Sequence, residues 1–282
     1  MLRHRLLTGA VGIPVALLFI YLGGWYFGAL VAAIAVGGLR EVYRLLAARD
    51  RRAYPWVGYP LAVILIGAGA AAKAQALWLP LEAGLLAGAF AISAWWMLAA
   101  AVHPAGSRLF ATVAGHIYVP QLLSYLVRLR TMPPPVTDSA LGGTPSALPG
   151  GAALVLLLMV VIWLMDTAAY AVGKTMGKHK LCPTISPGKT VEGSVGAFAA
   201  AVLLSGGVGY WLGLPLGHGV VLGAAIGVLG QAGDLFESML KRRAGVKDSG
   251  AVLPGHGGIL DRFDSLLFAA PLAYFYLSFV AT

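Results

Sequence analysis

Long apolar runs follow one another along almost the whole chain, and this repetition limits the folds that the chain can adopt. A helix needs roughly 20 apolar residues to cross the hydrocarbon core of a bilayer, which is about 30 Å thick. The hydropathy pattern predicts about nine such spans, at residues 6–22, 25–47, 56–72, 81–101, 109–129, 152–173, 194–213, 217–238 and 263–281. We therefore expect an all-α protein, a polytopic membrane helical bundle of about nine transmembrane helices.

Composition agrees with this fold class and suggests one internal division. Only 11% of the 282 residues are charged and 59% are hydrophobic, whereas an average soluble domain carries about 25% charged residues. Residues 131–150, TMPPPVTDSALGGTPSALPG, are rich in Pro, Gly, Ser and Thr, which predicts a flexible loop. We expect N-terminal transmembrane helices, spans one to five, in residues 1–150 and spans six to nine in residues 151–282.

The basic residues lie mostly on one side of the predicted membrane. The net charge of +9 could also indicate nucleic-acid binding. With nine spans, however, only Lys73, Arg128 and Arg130 fall on the side opposite the N-terminus. The positive-inside rule then places the N-terminus in the cytoplasm, and we expect no nucleic-acid partner. The arginine-rich segment at residues 39–52 predicts a cytoplasmic helix end that anchors and orients the chain.

The acidic residues are rarer than the basic ones and therefore more informative. Most of the 11 lie in the last 117 residues and near the predicted cytoplasmic face: Asp166, Glu192, Asp234, Glu237, Asp248, Asp261 and Asp264. Asp166 falls inside a predicted span, where a carboxylate costs about 2.5–3.5 kcal/mol on insertion scales. Such a group is either functional or a buried hydrogen-bonding acid that fastens two helices.

Two acidic pairs share the same spacing near helix ends. Asp234 and Glu237 lie three residues apart, and Asp261 and Asp264 repeat this spacing, so each pair lies on one helix face. Four converging carboxylates repel one another unless a cation lies between them. Oxygen ligands without a His and Cys cluster favour Mg²⁺, which takes one or two carboxylates together with water and phosphate oxygens. The residues leave open whether a second cation binds beside Mg²⁺.

Basic residues and glycines surround these acids. The cations are Lys241, Arg242, Arg243, Lys247 and Arg262, and the glycines belong to PGHGG at residues 254–258. Lys and Arg neutralise phosphate charge, and Gly lets backbone N–H groups approach phosphate closely. The combination with carboxylates is typical of phosphoryl or nucleotidyl transfer. An orienting loop is the alternative interpretation of the basic residues alone.

A second polar segment joins the sixth and seventh predicted spans on the same face. It contains SPGKTVEGS, residues 186–194, which lacks the glycine spacing of a Walker A motif. Ser186, Lys189, Thr190 and Glu192 predict a nucleotide-binding loop that faces the acidic site. The competing interpretation is that Ser or Thr caps the following helix.

These residues resemble a known enzyme family. The stretch SMLKRRAGVKDSGAVLPGHGGILDRFD, Ser238 to Asp264, resembles the signature of the membrane-bound phosphatidate cytidylyltransferases, or CDP-diacylglycerol synthases. The matching positions are Ser238, Lys241, Arg242, Lys247, Asp248, Leu253, Pro254, His256, Gly257, Gly258, Asp261, Arg262 and Asp264. Weaker similarity begins at Asp166 and at Ile185, and Gly188 stands where the family often has a second lysine.

The resemblance implies a reaction in phospholipid biosynthesis, in which CTP and phosphatidate give CDP-diacylglycerol and pyrophosphate with Mg²⁺. It implies a catalytic region in residues 151–282, a cytoplasmic active site at a bacterial inner membrane and a homodimer. The implied metal ligands are Asp234 and Asp261, with Asp264 and Glu237 as second choices. The implied triphosphate or pyrophosphate contacts are Lys189, Lys241, Arg242 and Lys247. Ser238, Asp248 and His256 belong to the implied site, and His256 is either a general acid or a loop-ordering residue.

Two other functions remain open on the sequence. A CTP-dependent polyprenol or phytol kinase would transfer only the γ-phosphoryl group and leave CDP, but the full signature argues against it. A cation-coupled secondary transporter could use Asp166 and Asp234 as ion or proton sites. Transporters often contain repeated halves with interrupted helices, and no such repeat is visible in this sequence.

Overall fold

The computed structural model describes residues 2–48, 52–71, 104–133, 148–149, 151–252 and 257–280. The fourth predicted span, at residues 81–101, lies outside these residues. So do most of the predicted flexible loop at residues 131–150 and His256.

The described chain is almost entirely helical. Its helices are α1 (Leu2–Leu22), α2 (Gly24–Ala47), α3 (Pro55–Ala70), α4 (Pro104–His116), α5 (Leu122–Thr131), α6 (Ala152–Met176), α7 (Val191–Trp211), α8 (Leu216–Arg243) and α9 (Leu260–Val280). A π-helical turn, Ile117–Gln121, joins α4 to α5. It contains Pro120, which lacks a backbone N–H and crowds the preceding turn, so the wider π-helical turn accommodates its ring.

Five of the described helical segments are long and apolar enough to cross a membrane. They are Ser107–Thr131, Ala152–Met176, Val191–Trp211, Leu216–Arg243 and Leu260–Val280. Gly9–Leu22 and Pro55–Ala70 are shorter apolar helices. The chain is therefore a helical integral membrane protein, and the count of about nine spans stays a prediction.

A short β-hairpin corrects the all-α prediction. Strand β1 (Lys180–Cys182) pairs antiparallel with β2 (Ser186–Thr190), with Lys180 opposite Thr190 and Cys182 opposite Ser186. Strands of this length, flanked by Gly and Pro, carry too few alternating residues for a periodicity signal. The hairpin fills the predicted loop between the sixth and seventh spans, and β2 ends where α7 begins.

Thr190 joins the hairpin to α7 as the helix cap. Its backbone is extended, with φ −122° and ψ 155°, and its Oγ1 accepts a hydrogen bond of 3.1 Å from the N–H of Gly193. This bond satisfies one of the N–H groups that have no partner within a first helical turn. The interpretation of this segment as a helix N-cap is therefore confirmed for Thr190.

The chain forms two compact units. The first unit contains residues Met1–Arg128 and Arg243–Arg262, and the second contains Leu129–Arg242 and Phe263–Thr282. The predicted division between residues 150 and 151 concerns function and stays a prediction.

Helices α2, α3 and α4 pack together in the first unit. Buried residues at their contact include Leu39, Tyr43 and Ala111. The Tyr43 hydroxyl donates a 3.1 Å hydrogen bond to the carbonyl oxygen of Thr112, whose own hydroxyl accepts one of 2.7 Å from the N–H of Tyr54. These bonds satisfy polar groups where hydrocarbon would offer no partner.

Close helix contacts in the second unit depend on glycine. At Gly193, where α7 meets α6, a Cβ would lie 2.7 Å from the carbonyl oxygen of Ala169. At Gly233, where α8 meets α9, a Cβ would lie 2.5 Å from the carbonyl oxygen of Asp264. Small residues allow such approach between membrane helices. The second contact brings the part of α8 that carries Asp234 against the part of α9 that carries Asp264.

Replacing Gly233 should therefore separate α8 from α9. We expect Gly233→Ala to lower the thermal unfolding midpoint in detergent, because the new Cβ would lie 2.5 Å from the Asp264 carbonyl oxygen. Overpacking of this kind costs about 1–3 kcal/mol. The matched control is Gly207→Ala on α7, where a Cβ would meet nothing within 4 Å. It should keep or raise the midpoint, since Ala exceeds Gly in helix propensity by about 1 kcal/mol. Equal midpoints for the two variants would contradict the close contact.

Candidate active site

A cavity of about 460 Å³ lies in the second unit. The β-hairpin and helices α6, α7 and α8 surround it. Its polar and small lining residues are Asp166, Ala169, Tyr170, Gly173, Lys174, Ser186, Gly188, Lys189, Thr190, Gly193, Ser194, Gln231 and Asp234. Four predicted site residues, Ser186, Lys189, Thr190 and Asp234, therefore line one cavity.

An ion pair connects the hairpin to α8 at this cavity. The Lys189 Nζ lies 2.5 Å from Asp234 Oδ2, and the two side chains are 27% and 31% exposed. Partly exposed pairs contribute only about 0–1 kcal/mol to stability. Both charges therefore remain available to a charged ligand at little cost in folding free energy.

Helix α6 lines the cavity with residues one turn apart. Asp166, Tyr170 and Lys174 follow each other at intervals of four and share a helix face. The Lys174 ammonium lies 3.4 Å from the Tyr170 hydroxyl and 5.6 Å from the centroid of its ring. The carboxylate inside the sixth predicted span thus belongs to the lining of this cavity, as a functional residue would.

Helix α8 contributes Gln231 and Asp234 from one face, and Gln231 ties α8 to α7. The Ser194 hydroxyl donates a hydrogen bond to Gln231 Oε1. Gln231 Nε2 donates a hydrogen bond of 2.7 Å to the carbonyl oxygen of Gly227. The Ser238 hydroxyl lies 3.5 Å from Asp234 Oδ1, at the limit of a hydrogen bond.

The next turn of α8 holds a buried ion pair. Glu237 is fully buried and its Oε2 lies 2.5 Å from the Lys241 Nζ, four residues further along. Glu237 and Asp234 therefore lie in different surroundings, although they were predicted to share a metal site. A metal at Glu237 would compete with Lys241 for the carboxylate.

Asp264 on α9 lies against the part of α8 that carries Asp234. Its carboxylate interacts electrostatically with Asp234, Asp166 and Lys241. The N–H of Ser265 donates a 2.6 Å hydrogen bond to Asp264 Oδ1. Three carboxylates at close quarters, offset by the lysine, give an environment that favours a bound cation.

This donor set fits Mg²⁺ if phosphate completes the coordination. Among the residues that the structure describes, no three His, Cys, Asp or Glu side chains are arranged to hold a metal ion. Mg²⁺ commonly takes only one or two carboxylates and fills its remaining positions with water and substrate phosphates. The oxygen ligands of Asp234 and Asp264 are of the kind that it prefers.

Glu192 and Arg242 stabilise the hairpin. Glu192 accepts hydrogen bonds from the backbone N–H groups of Lys178, at 3.0 Å, and His179, at 3.2 Å. The His179 ring nitrogen Nδ1 lies 2.6 Å from Glu192 Oε1. Arg242 Nε donates a hydrogen bond of 3.1 Å to the carbonyl oxygen of Ile185 in the hairpin turn. Glu192 and Arg242, both predicted to belong to the site, therefore stabilise the conformation of the segment that carries Lys189.

Lys247, Asp248 and Asp261 belong to the first unit. Lys247 and Asp248 are exposed in the segment after α8. Asp261 Oδ2 accepts hydrogen bonds from the N–H and the hydroxyl of Ser249, both 3.0 Å, and from the N–H of Gly258, 2.8 Å. The convergence of Asp261 with Asp234 stays a prediction.

Sequence reasoning missed four residues that the structure places at these sites. Tyr170 and Ser194 line the cavity and lie in the stretches of weaker family similarity, but no role was predicted for either. Gln231 could have been found, because it precedes Asp234 by three residues and so shares its helix face. Glu41, on α2, accepts hydrogen bonds from the segment that contains Asp261, yet it lies in the arginine-rich segment interpreted as an orienting helix end.

Comparison with known proteins extends the sequence resemblance over nearly the whole chain. The sequence model of the cytidylyltransferase family matches residues 3–280. A phosphatidate cytidylyltransferase of Synechocystis is 34% identical over 289 residues, which covers 97% of this chain and 96% of that protein. The family match includes the first five predicted spans, which the signature motifs do not reach.

Shorter alignments are more similar still. The phosphatidate cytidylyltransferase of Bacillus subtilis is 52% identical over 121 residues, which covers 42% of this chain and 45% of that protein. The protein of the same name from Staphylococcus aureus is 48% identical over 120 residues, which covers 42% of this chain and 46% of that protein. By the extent of these matches, the chain belongs to the cytidylyltransferase family.

Proposed function

We propose that the chain is a phosphatidate cytidylyltransferase, which converts CTP and phosphatidate to CDP-diacylglycerol and pyrophosphate. The observation that carries the proposal is the cavity of the second unit. Its lining brings Lys189 and Asp234 together with small residues and a carboxylate from α6. A nucleotide needs such paired charge, and a lipid substrate needs membrane-spanning helices beside it. The names of the related proteins support the choice of phosphatidate as acceptor.

The chemistry requires no nucleophile from the protein. A phosphate monoester oxygen of phosphatidate attacks the α-phosphorus of CTP and forms the new P–O bond. The bond from the α-phosphorus to the oxygen bridging to the β-phosphorus breaks, and its electrons leave with pyrophosphate. The task of the protein is to hold two polyanions in line and to stabilise charge on the transferred group.

The residues of the second unit divide this task. Lys189 binds triphosphate oxygens in exchange for Asp234. The space beside Gly188 is open to a ligand, since a Cβ there would meet nothing within 4 Å. Lys241 and Arg242 supply further positive charge on α8. Ser238 and Ser186 lie nearby as hydroxyl ligands, and Lys247, Asp248 and His256 stay proposals from the signature.

Mg²⁺ is part of the proposal. When bound, it would neutralise triphosphate charge as a Lewis acid. Asp234 and Asp261 are the proposed ligands, with Asp264 beside Asp234 and Glu237 as second choices. The proposed site holds one Mg²⁺, with room in the proposal for a second cation.

The finer membrane arrangement belongs to the proposal as well. We place about nine spans in a bacterial inner membrane, with the N-terminus and the active site on the cytoplasmic side. Soluble CTP would then reach the site from the cytoplasm while the acyl chains of phosphatidate remain in the bilayer. A homodimer follows from the family resemblance alone.

The fate of the CTP phosphates tests the reaction. The purified protein in detergent is given phosphatidate, Mg²⁺ and CTP labelled in either its α- or its γ-phosphate. We expect the α label in CDP-diacylglycerol and the γ label in pyrophosphate, because the attack is at the α-phosphorus. Asp234→Asn should remove both products.

Other outcomes of this assay distinguish the alternatives. The γ label in lipid, with CDP released, would identify a kinase and overturn the proposal. Absence of labelled lipid, together with cation-driven uptake in protein-containing vesicles, would indicate a secondary transporter. Omission of phosphatidate is the control for hydrolysis of CTP.

The ion pair at the cavity gives a second prediction. Lys189→Met should reduce kcat/KM for CTP by about 100-fold, as expected when a positioned charge on the triphosphate is lost. Its thermal midpoint should stay close to that of the wild type, because a partly exposed pair contributes only about 0–1 kcal/mol.

The matched control for this variant is Lys180→Met. Lys180 is exposed on the neighbouring strand β1 and does not line the cavity. It should retain wild-type kinetics. Equal losses in the two variants would mean that general positive charge on the hairpin matters, and not the position of Lys189.

A further inference from the structure

A buried carboxylate on α2 organises the segment between α8 and α9 in the first unit. Glu41 is 1% exposed. Its carboxylate accepts hydrogen bonds from the hydroxyl of Ser249, at 2.8 Å, and from the N–H groups of Ile259, at 3.0 Å, and Leu260, at 2.8 Å. These partners follow Glu41 by more than 200 positions in the sequence.

Two of these bonds give partners to backbone N–H groups at the beginning of α9. Ile259 precedes the helix and Leu260 is its first residue, so neither N–H has a partner within the helix. A carboxylate at this position also complements the positive end of the helix dipole. Glu41 therefore caps α9 from another helix, directly before Asp261.

The segment is shaped to admit this carboxylate. A Cβ at Gly250 would lie 2.4 Å from Glu41 Oε1, and a Cβ at Gly258 would lie 2.5 Å from Glu41 Oε2. Both positions therefore require glycine if Glu41 is to reach the backbone. Gly258 also belongs to the signature stretch, so part of that signature provides the space for Glu41.

Ser249 connects Glu41 to Asp261. The Ser249 hydroxyl lies 2.8 Å from Glu41 Oε2 and 3.0 Å from Asp261 Oδ2. Since a hydroxyl has one proton, the two carboxylates share it. The Ser249 N–H also donates to Asp261 Oδ2, so the orientation of Asp261 depends on the position that Glu41 gives to Ser249.

The cap contributes to stability, but an acid at this position also carries a cost. Burying a carboxylate carries a desolvation cost, and well-packed apolar residues often replace buried charges without loss of stability. Orientation of a ligand by its hydrogen-bonded neighbours does account for it, because such neighbours commonly contribute 10–100-fold to metal affinity or activity.

We propose that Glu41 is a positioning residue for cytidylyl transfer, which acts on Asp261 through Ser249 and through the capped N-terminus of α9. The inference rests on the proposed function for the role of Asp261. The hydrogen bonds that carry it all lie within the first unit.

Steady-state kinetics test the effect on the reaction. Glu41→Gln should lower kcat by about 10–100-fold, whereas KM for CTP should change by less than about 3-fold, since Glu41 touches no substrate. The amide has only one acceptor oxygen for the three donors that face Glu41. Arg44→Gln, on the exposed face of the same helix, is the matched control and should keep wild-type kcat.

A double-mutant comparison separates positioning from folding. Ser249→Ala removes the hydroxyl that joins Glu41 to Asp261 but keeps both backbone bonds to Glu41 and the backbone N–H bond to Asp261. We expect the variant with both substitutions to be no more than about 3-fold slower than the slower single variant, because both break one pathway. Multiplied losses, or wild-type kcat in Glu41→Gln, would overturn the proposal.

Limited proteolysis tests the structural step without activity. Lys247 is exposed in the segment that Glu41 holds, so trypsin should cut after it about 10-fold faster in Glu41→Gln than in the wild type. Cleavage after Lys180, in the second unit, is the internal reference and should not change. Unchanged cleavage after Lys247 would overturn the proposal. If the wild type forms no CDP-diacylglycerol, the proposed function fails, while the cleavage rate still decides whether Glu41 holds this segment.

Discussion

A charged side chain among membrane helices needs a partner from the protein, because hydrocarbon offers none. Three examples among the described residues show how the protein provides such partners. Lys241 and Glu237 form a buried pair within one helix, Lys189 and Asp234 form a partly exposed pair across a cavity, and Glu41 accepts hydrogen bonds from a serine and two backbone groups. The side chains of the first pair are 11% and 0% exposed, whereas those of the second are 27% and 31% exposed and exchange their partners more readily.

Glycine allows the helices of the second unit to pack closely. Bulky residues at these contacts would hold the backbones apart. Gly193 and Gly233 fulfil this role for α7 and α8 in the second unit. In the first unit, Gly250 and Gly258 leave room for a carboxylate instead of a helix. These glycines therefore serve the candidate site through packing.

Hydropathy was sufficient to predict where the helices lie, because every described helix overlaps a predicted span. Lys189, Thr190 and Asp234 line one cavity, and their role in the reaction stays a prediction. The β-hairpin was missed, since strands of three and five residues carry no periodicity signal. Glu41 was missed for a different reason. Its partners are more than 200 residues away, and neighbouring arginines gave a sufficient explanation of the segment.

The pair between Lys189 and Asp234 has a consequence for the order of binding. While the cavity holds no ligand, each charge is the counterion of the other, so the pair presents almost no net charge to the solvent. A polyanion that takes the lysine frees the carboxylate in the same event. The Asp234 carboxylate thus becomes available to a cation only after an anion has taken Lys189. The ion pair couples the binding of an anion to the release of this one carboxylate.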